Sequence, residues 1–97
     1  MPTYISLIEY TGQGIKSIKK SPDRADAARK LLHDMGGNMK EIYMTMGEYD
    51  LVVISEAPDA ETIAKFMLAI GAFGNVRTTT LTAFPEAAYR KIIEELP

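Results

Sequence analysis

Four stretches of the chain are built mainly of β-branched, aromatic and other apolar residues that alternate with polar ones. The first, Thr3–Tyr10, ends at a glycine-containing turn. The next two, Asn38–Met46 and Tyr49–Glu56, are separated by only a glycine and a glutamate, a spacing that favours antiparallel pairing. The fourth, Asn75–Phe84, is a threonine-rich segment with a period-two pattern. The pattern therefore predicts four β-strands.

Segments with a helical spacing of apolar residues lie between and after these strands. The longest helix is predicted to start at Ser21 and Pro22, because serine is a favoured N-cap and proline suits the first turn, and to stop at a glycine pair. A short helical turn precedes it over Ile15–Lys20. Pro58 and Pro85 mark the starts of two further helices. The predicted order is β-α-β-β-α-β followed by a C-terminal helix.

This order is the split βαβ pattern of ferredoxin-like α+β domains. It places four strands in one antiparallel sheet and both main helices on one face of that sheet. A chain of 97 residues has the usual size of one domain and buries roughly two-thirds of its unfolded surface, so residues 1–97 are predicted to form a single domain. The other face of the sheet has no helix to cover it.

Alternation along the strands predicts which side chains lie on that uncovered face. The residues predicted to face the helices are Ile5, Leu7, Ile42, Met44, Leu51, Val53 and Leu81. Arg77 has the parity of this set and is expected at its edge. The residues predicted for the uncovered face are Tyr4, Ile8, Tyr10, Tyr43, Val52, Ile54 and Val76. Most of this second set is apolar, and a patch of that size exceeds what a monomer usually exposes.

We therefore expect a homodimer or larger homo-oligomer assembled through the sheet. The residues expected to lose solvent on association are Tyr4, Ile8, Tyr43, Val52, Ile54 and Val76. The alternative is a monomer in which the C-terminal helix folds back over the sheet. The apolar stripe of that helix is formed by Tyr89, Ile92, Ile93 and Leu96.

Composition and charge exclude several classes of function. A net charge of -2 and a pI near 5.3 argue against nucleic acid as a partner, since that affinity depends on neutralising phosphates. The chain has no cysteine, which excludes disulfides, zinc-thiolate sites and a catalytic thiol. The N-terminus has no basic stretch before an apolar run, and no segment has the ~18 apolar residues of a membrane span. We expect a cytoplasmic protein without a membrane partner.

Asp50 is the candidate catalytic residue, because alternation places its carboxylate on the uncovered face, where a half-buried acid could act as a base. The alternative is that Asp50 caps the preceding turn through backbone amides. A small-molecule site on the same face would contain Tyr4, Tyr43, Asp50 and Thr80, since tyrosines combine an apolar ring with a hydrogen-bonding tip. The single histidine, His33, is predicted to face solvent, and we expect neither a metal nor another cofactor.

Three segments resemble the GYD family, which is named for a Gly-Tyr-Asp motif. They are YISL at 4–7, GEYD at 47–50 and GNVRT at 74–78, although a glutamate separates the glycine from the tyrosine in this chain. The resemblance extends over Thr3–Phe84 and implies a dimeric α/β barrel, in which two ferredoxin-like sheets pack face to face. It implies no reaction, because the family has no assigned biochemical function. Distantly similar barrels include small monooxygenases, isomerases and amino-acid-sensing domains.

Three functions are consistent with these residues. The first is a small-molecule-binding homodimer without catalysis, since no catalytic constellation is recognisable. The second is a cofactor-independent enzyme, monooxygenase- or isomerase-like, acting on a small apolar compound. In such an enzyme Asp50 would be the base and Tyr43 or Tyr4 the hydrogen-bond donor. The third is a non-catalytic assembly module whose tyrosine-rich face is only an interface.

Overall fold

Four β-strands and four α-helices make up the chain, and the computed structural model describes all residues from 1 to 97. The strands are β1 (Thr3–Tyr10), β2 (Asn38–Met44), β3 (Leu51–Glu56) and β4 (Val76–Ala83). The helices are α1 (Gly12–Lys16), α2 (Ser21–Asp34), α3 (Ala60–Ala72) and α4 (Glu86–Glu94). The predicted order of strands and main helices is confirmed.

The four strands form one antiparallel sheet in the order β2-β3-β1-β4. β1 and β3 lie side by side in the centre, where Leu7 pairs with Val52. The two longer helices, α2 and α3, pack on one face of the sheet through Leu32 and Phe66. This is the ferredoxin-like α+β fold that the order of elements predicts.

The core lies between the sheet and these two helices. Its buried apolar residues are Tyr4, Ile8, Leu32, Met39, Val53, Ala57, Ile63 and Phe66. Burial of a large apolar side chain stabilises a fold by roughly 1.5–3 kcal/mol, so Leu32 and Phe66, both fully buried, anchor their helices to the sheet. The two helices make few contacts with each other. Each helix is therefore held mainly by the sheet, not by its neighbour.

The first helical segment begins earlier than predicted. Thr11 is the N-cap of α1, because its hydroxyl accepts a hydrogen bond from the Gly14 amide at 3.1 Å. A turn of 3₁₀-helix over Ile18–Lys20 then continues directly into α2. Ser21 consequently lies inside a helical segment and is not an N-cap. Its hydroxyl instead lies 2.8 Å from the hydroxyl of Tyr10.

α3 begins at Ala60 and is capped by Asp59, the residue after Pro58. The carboxylate of Asp59 accepts hydrogen bonds from the backbone amide and the hydroxyl of Thr62, each at 2.8 Å. These bonds favour the ionised form and hold the pKa of Asp59 below its ordinary value of 3.8. The cap therefore holds at neutral pH, where the carboxylate is ionised.

The face predicted for the side chains of β1 and β4 is wrong. Tyr4 and Ile8, predicted for the uncovered face, are buried under the helices, with 4% and 7% of their surface exposed. Tyr10 and Val76 also lie on the helix-covered side. Three residues predicted to face the helices lie on the uncovered face instead: Ile5, Leu7 and Leu81. The prediction failed because both faces of β1 carry large apolar side chains, so alternation alone does not distinguish them.

Charged residues carry the signal that separates the two faces. Glu9 has the parity of Leu7, and it lies directly opposite Arg77 of β4. Charged side chains are rarely placed under a helix, so the face that holds this pair is the solvent-facing one. The faces predicted for β2 and β3 are correct. Tyr43, Val52 and Ile54 alternate with core residues and lie on the uncovered side.

β2 contains one extra residue. The pairing with β3 shifts between Met39 and Glu41, so Lys40 is left without a partner in the ladder, as in a β-bulge. The bulge brings Met39 and Ile42 to the same, helix-covered face. The Lys40 ammonium lies 3.7 Å from the Glu56 carboxylate, where it forms a partly exposed ion pair.

α4 has no buried residue. Its apolar side chains Tyr89, Ile92 and Ile93 are exposed, and on its polar side Arg90 pairs with Glu86 at 2.8 Å. The chain is elongated, with extents of 51 × 31 × 17 Å. The C-terminal helix therefore does not fold back over the sheet of its own chain, and the closed monomer is not the arrangement in this structure.

Candidate functional site

The GEYD segment at 47–50 connects β2 to β3 and is fixed by local hydrogen bonds. The Thr45 amide donates to the Asp50 carbonyl at 2.8 Å, and the Thr45 hydroxyl donates to the Tyr49 carbonyl at 2.6 Å. Gly47 has a φ of +140°, which residues with a side chain rarely adopt. The glycine of the motif thus has an identifiable role in shaping this connection, whereas Asp50 contributes to it here through its backbone carbonyl.

The Asp50 carboxylate extends the hydrogen bonding of the sheet at the end of β1. The Asp50 amide donates to the Ile8 carbonyl at 2.9 Å, and Oδ2 accepts a hydrogen bond from the Tyr10 amide at 2.8 Å. β3 begins only at Leu51, so the side chain supplies an acceptor beyond the end of the ladder. Asp50 therefore bonds a backbone amide, in β1 and not in the preceding turn. A catalytic role for Asp50 stays a prediction.

Two substitutions of Asp50 test its structural role. Asp50→Ala leaves the Tyr10 amide without its acceptor, and we expect a loss of about 1–2 kcal/mol in the free energy of unfolding, measured by urea denaturation. Asp50→Asn keeps a side-chain oxygen that can accept the same bond and should lose less than half as much. Wild-type stability of Asp50→Ala would contradict the structural role and leave the carboxylate free for chemistry.

The four residues predicted to line a ligand site do not share one surface. Tyr4 is buried, and Thr80 lies on the same helix-covered side, where its hydroxyl is 3.0 Å from the Ser6 hydroxyl. Tyr43 lies on the opposite face and is 54% exposed. The Asp50 carboxylate is directed to the end of β1. The chain therefore does not bring Tyr4, Tyr43, Asp50 and Thr80 together in one site.

The sheet face opposite α2 and α3 has no element of the chain packed on it, and we call it the open face. Its apolar residues are Ile5, Leu7, Tyr43, Val52, Ile54 and Leu81. On the two central strands Leu7 pairs with Val52 and Ile5 pairs with Ile54, so the apolar centre is continuous. Each edge strand adds one more apolar side chain. Half of this set was predicted from the sequence, and the members from β1 and β4 were missed.

Charged residues border the apolar centre of the open face at one end and along one edge. Glu9 and Arg77 lie opposite each other at one end of the face, and Glu41 lies on the edge strand β2. A polar rim around an apolar centre is typical of protein–protein interfaces. The open face therefore has the composition of an interface more than that of a catalytic pocket.

None of the helices combines the length and the apolar character needed to cross a bilayer. No three carboxylate or imidazole side chains are grouped so that they could hold a metal ion. His33 is exposed in the last turn of α2, as predicted.

Comparison with known proteins relates almost the whole chain to one family. The family model described as the GYD domain matches residues 4–93. A relative from Thermus thermophilus is 39% identical over 88 residues, which cover 90% of this chain and 93% of the relative. That protein is named glutamine synthetase and cystathionine beta-lyase binding protein.

Solved structures share the fold. A crystal structure of a Thermus thermophilus protein superposes with a TM-score of 0.57 at 28% identity, over 88% of this chain and 95% of that chain. A feast or famine regulatory protein of M. tuberculosis, complexed with L-methionine, has a TM-score of 0.67 at 15% identity, over 88% of this chain and 51% of that chain. The second likeness concerns the fold alone. Because the family model spans nearly every element described above, the chain belongs to the GYD domain family.

Proposed function

We propose that this chain is a homodimeric binding protein that attaches to metabolic enzymes and is not itself an enzyme. The observation that supports this proposal best is the open face, where six apolar side chains from four strands have no covering element. A monomer rarely leaves a continuous apolar sheet face in water, because removing such surface from water yields about 25 cal/mol per Å². A second copy is the simplest cover, since a two-fold interface uses the same patch on both subunits.

The name of the Thermus thermophilus relative supports the enzyme-binding part of the proposal. That relative is similar over 93% of its own length, so no additional domain is needed to account for what its name describes. In this chain α4 is the proposed contact with the enzyme, because it exposes Ile92 and Ile93 on one side and charged residues on the other. Amphipathic helices of this kind bind by laying their apolar side into a groove of a partner.

Surface plasmon resonance tests the enzyme contact with the full chain immobilised. The analytes are the glutamine synthetase and the cystathionine β-lyase of the organism that encodes this chain. We expect saturable binding of at least one of them, and Ile92→Lys should weaken it by at least about tenfold, since a charge would enter an apolar contact. Ile15→Lys is the matched control, because Ile15 is also an exposed isoleucine, on α1 and not on α4. Failure of the wild-type chain to bind either enzyme contradicts this part of the proposal.

Sedimentation velocity tests the dimer separately. At micromolar concentration the wild-type chain should sediment as a species of twice the 10.7 kDa chain mass. A single-chain mass under these conditions rejects the homodimer whatever the enzyme measurement gives.

The geometry gives less support to the enzymatic alternative. The Asp50 carboxylate already accepts a hydrogen bond from the Tyr10 amide. Of the two tyrosines predicted as alternative donors, Tyr4 is buried under the helices and Tyr43 lies on the open face. A base and a donor that act on one substrate must reach the same reacting group.

A further inference from the structure

A cavity of about 420 Å³ lies between α2, α3 and the sheet, on the opposite side of the sheet from the open face. Fifteen of its 18 lining residues are hydrophobic. The volume falls within the range of about 300–1,000 Å³ that is usual for small-molecule sites. The small side chains Ala25 and Ala28 of α2 line the cavity, together with Met67 and Ile70 of α3.

The polar lining of the cavity includes two hydroxyl groups and one cation. The Tyr10 hydroxyl and the Ser21 hydroxyl lie 2.8 Å apart, and Arg24 lies one turn further along α2. All three residues are half-buried. A mostly apolar cavity with a few polar groups orients a ligand that has an apolar part and a polar end.

Arg24 is held in place by neutral groups. Its Nη1 donates to the Ser17 carbonyl at 3.1 Å and to the Ser17 hydroxyl at 3.0 Å, and its Nη2 donates to the Gly14 carbonyl at 3.3 Å. No carboxylate of the chain lies within ion-pair distance of this guanidinium. The Nε–H group of Arg24 makes none of these hydrogen bonds. An oriented, unneutralised guanidinium beside an apolar cavity favours an anionic group, and a carboxylate fits its planar fork.

We infer that this cavity binds a small hydrophobic carboxylic acid, with its apolar body between α2 and α3 and its carboxylate on Arg24. The hydroxyls of Tyr10 and Ser21 share one hydrogen bond, which uses one of their two protons, and the other proton is available to the same carboxylate. This site is separate from the proposed dimer contact, because its lining residues lie on the helix-covered side of the sheet and not on the open face. A second occupant would be the apolar side of α4 from another copy of the chain, and the test below separates the two.

Decanoate, decanol and decylamine are the probes, used below their aggregation limits with the full-length chain. Isothermal titration calorimetry should show saturable binding of decanoate and weaker binding of decanol and decylamine. Arg24→Gln should weaken decanoate ~10–100-fold, the usual effect of losing a hydrogen bond to a charged group, and leave decanol unchanged. Arg29→Gln is the matched control, since Arg29 is on the exposed side of α2 and pairs with Asp26.

A second variant covers the case in which Arg24→Gln perturbs the fold. Ala28→Phe fills the cavity with apolar volume and should abolish decanoate binding without lowering the thermal midpoint of unfolding. In NMR spectra of the wild-type chain, decanoate should shift the methyl signals of Ile8, Met67 and Ile70. Equal affinity of the wild type and Arg24→Gln for decanoate, shifts at Val52 and Ile54 instead, or no saturable binding would each overturn the inference. Contacts from the Ile92 methyls into the cavity of the ligand-free protein would also overturn it, because α4 would then be the occupant.

Discussion

Leu7→Lys should convert the proposed dimer into a monomer. Leu7 lies at the centre of the open face, paired with Val52 on the neighbouring central strand. Association would bury two copies of the new ammonium group against apolar side chains, and an unpaired buried charge costs several kcal/mol. We expect the dissociation constant of the dimer to rise at least about a thousandfold, which corresponds to about 4 kcal/mol. Sedimentation velocity over a range of concentrations measures the change.

The control for this prediction is the same substitution on the other side of the molecule. Leu68 is exposed on α3, away from the open face. Leu68→Lys should leave the dissociation constant of the dimer unchanged. If Leu7→Lys remained dimeric, or if both variants dissociated equally, the open face would not be the interface. Circular dichroism of each variant verifies that the monomer is still folded.

Gly14→Ala should destabilise the fold by about 3 kcal/mol, at the upper end of what overpacking usually costs. A Cβ at this position would overlap the carbonyl oxygen of Asn75, and a backbone group cannot move aside as a flexible side chain can. The same oxygen accepts a hydrogen bond from the Thr11 amide at 3.0 Å, and the Thr11 hydroxyl donates to the Gly74 carbonyl at 2.6 Å. A shift of Asn75 would therefore disturb the junction that joins β1 and α1 to the start of β4.

Gly12→Ala provides the comparison within the same short helix. An added Cβ at Gly12 meets nothing within 4 Å. Because alanine favours helical structure over glycine, Gly12→Ala should be neutral or slightly stabilising. Urea denaturation of the two variants measures the difference in the free energy of unfolding. Equal stabilities would show that the approach of Gly14 to Asn75 is not a constraint on the fold.

The architecture could be predicted from the sequence because its signals are local. The glycine pair after α2, Pro58 before α3 and the threonine alternation in β4 each mark an element without reference to the rest of the chain. The start of α1 was missed because its cap is a side-chain bond from Thr11, inside what the pattern marks as a turn. Boundaries that depend on one hydrogen bond are the least visible in a pattern.

The functional surfaces were harder to predict because they depend on which face of a strand turns inward. In β1 both sets of alternating residues include large apolar side chains. Tyr4 was therefore predicted for the uncovered face and Leu7 for the helix-covered face, and the structure has them the other way round. The pairing of Glu9 with Arg77 would have resolved the ambiguity. The predicted ligand residues Tyr4, Tyr43 and Thr80 come from opposite faces for the same reason. The cavity beside Arg24 has no sequence signature, because it depends on the distance between two helices.

The bulge in β2 has a consequence for how the length of this strand can vary among relatives. Deleting one residue from a regular strand turns every later side chain to the opposite face. Deleting Lys40 would instead restore regular alternation and leave Met39 and Ile42 on the face they already occupy. Only the partly exposed pair with Glu56 would be lost, an interaction of about 0–1 kcal/mol. Gaps in an alignment of β2 should therefore collect at this position, where the family can lose a residue without turning its core outward.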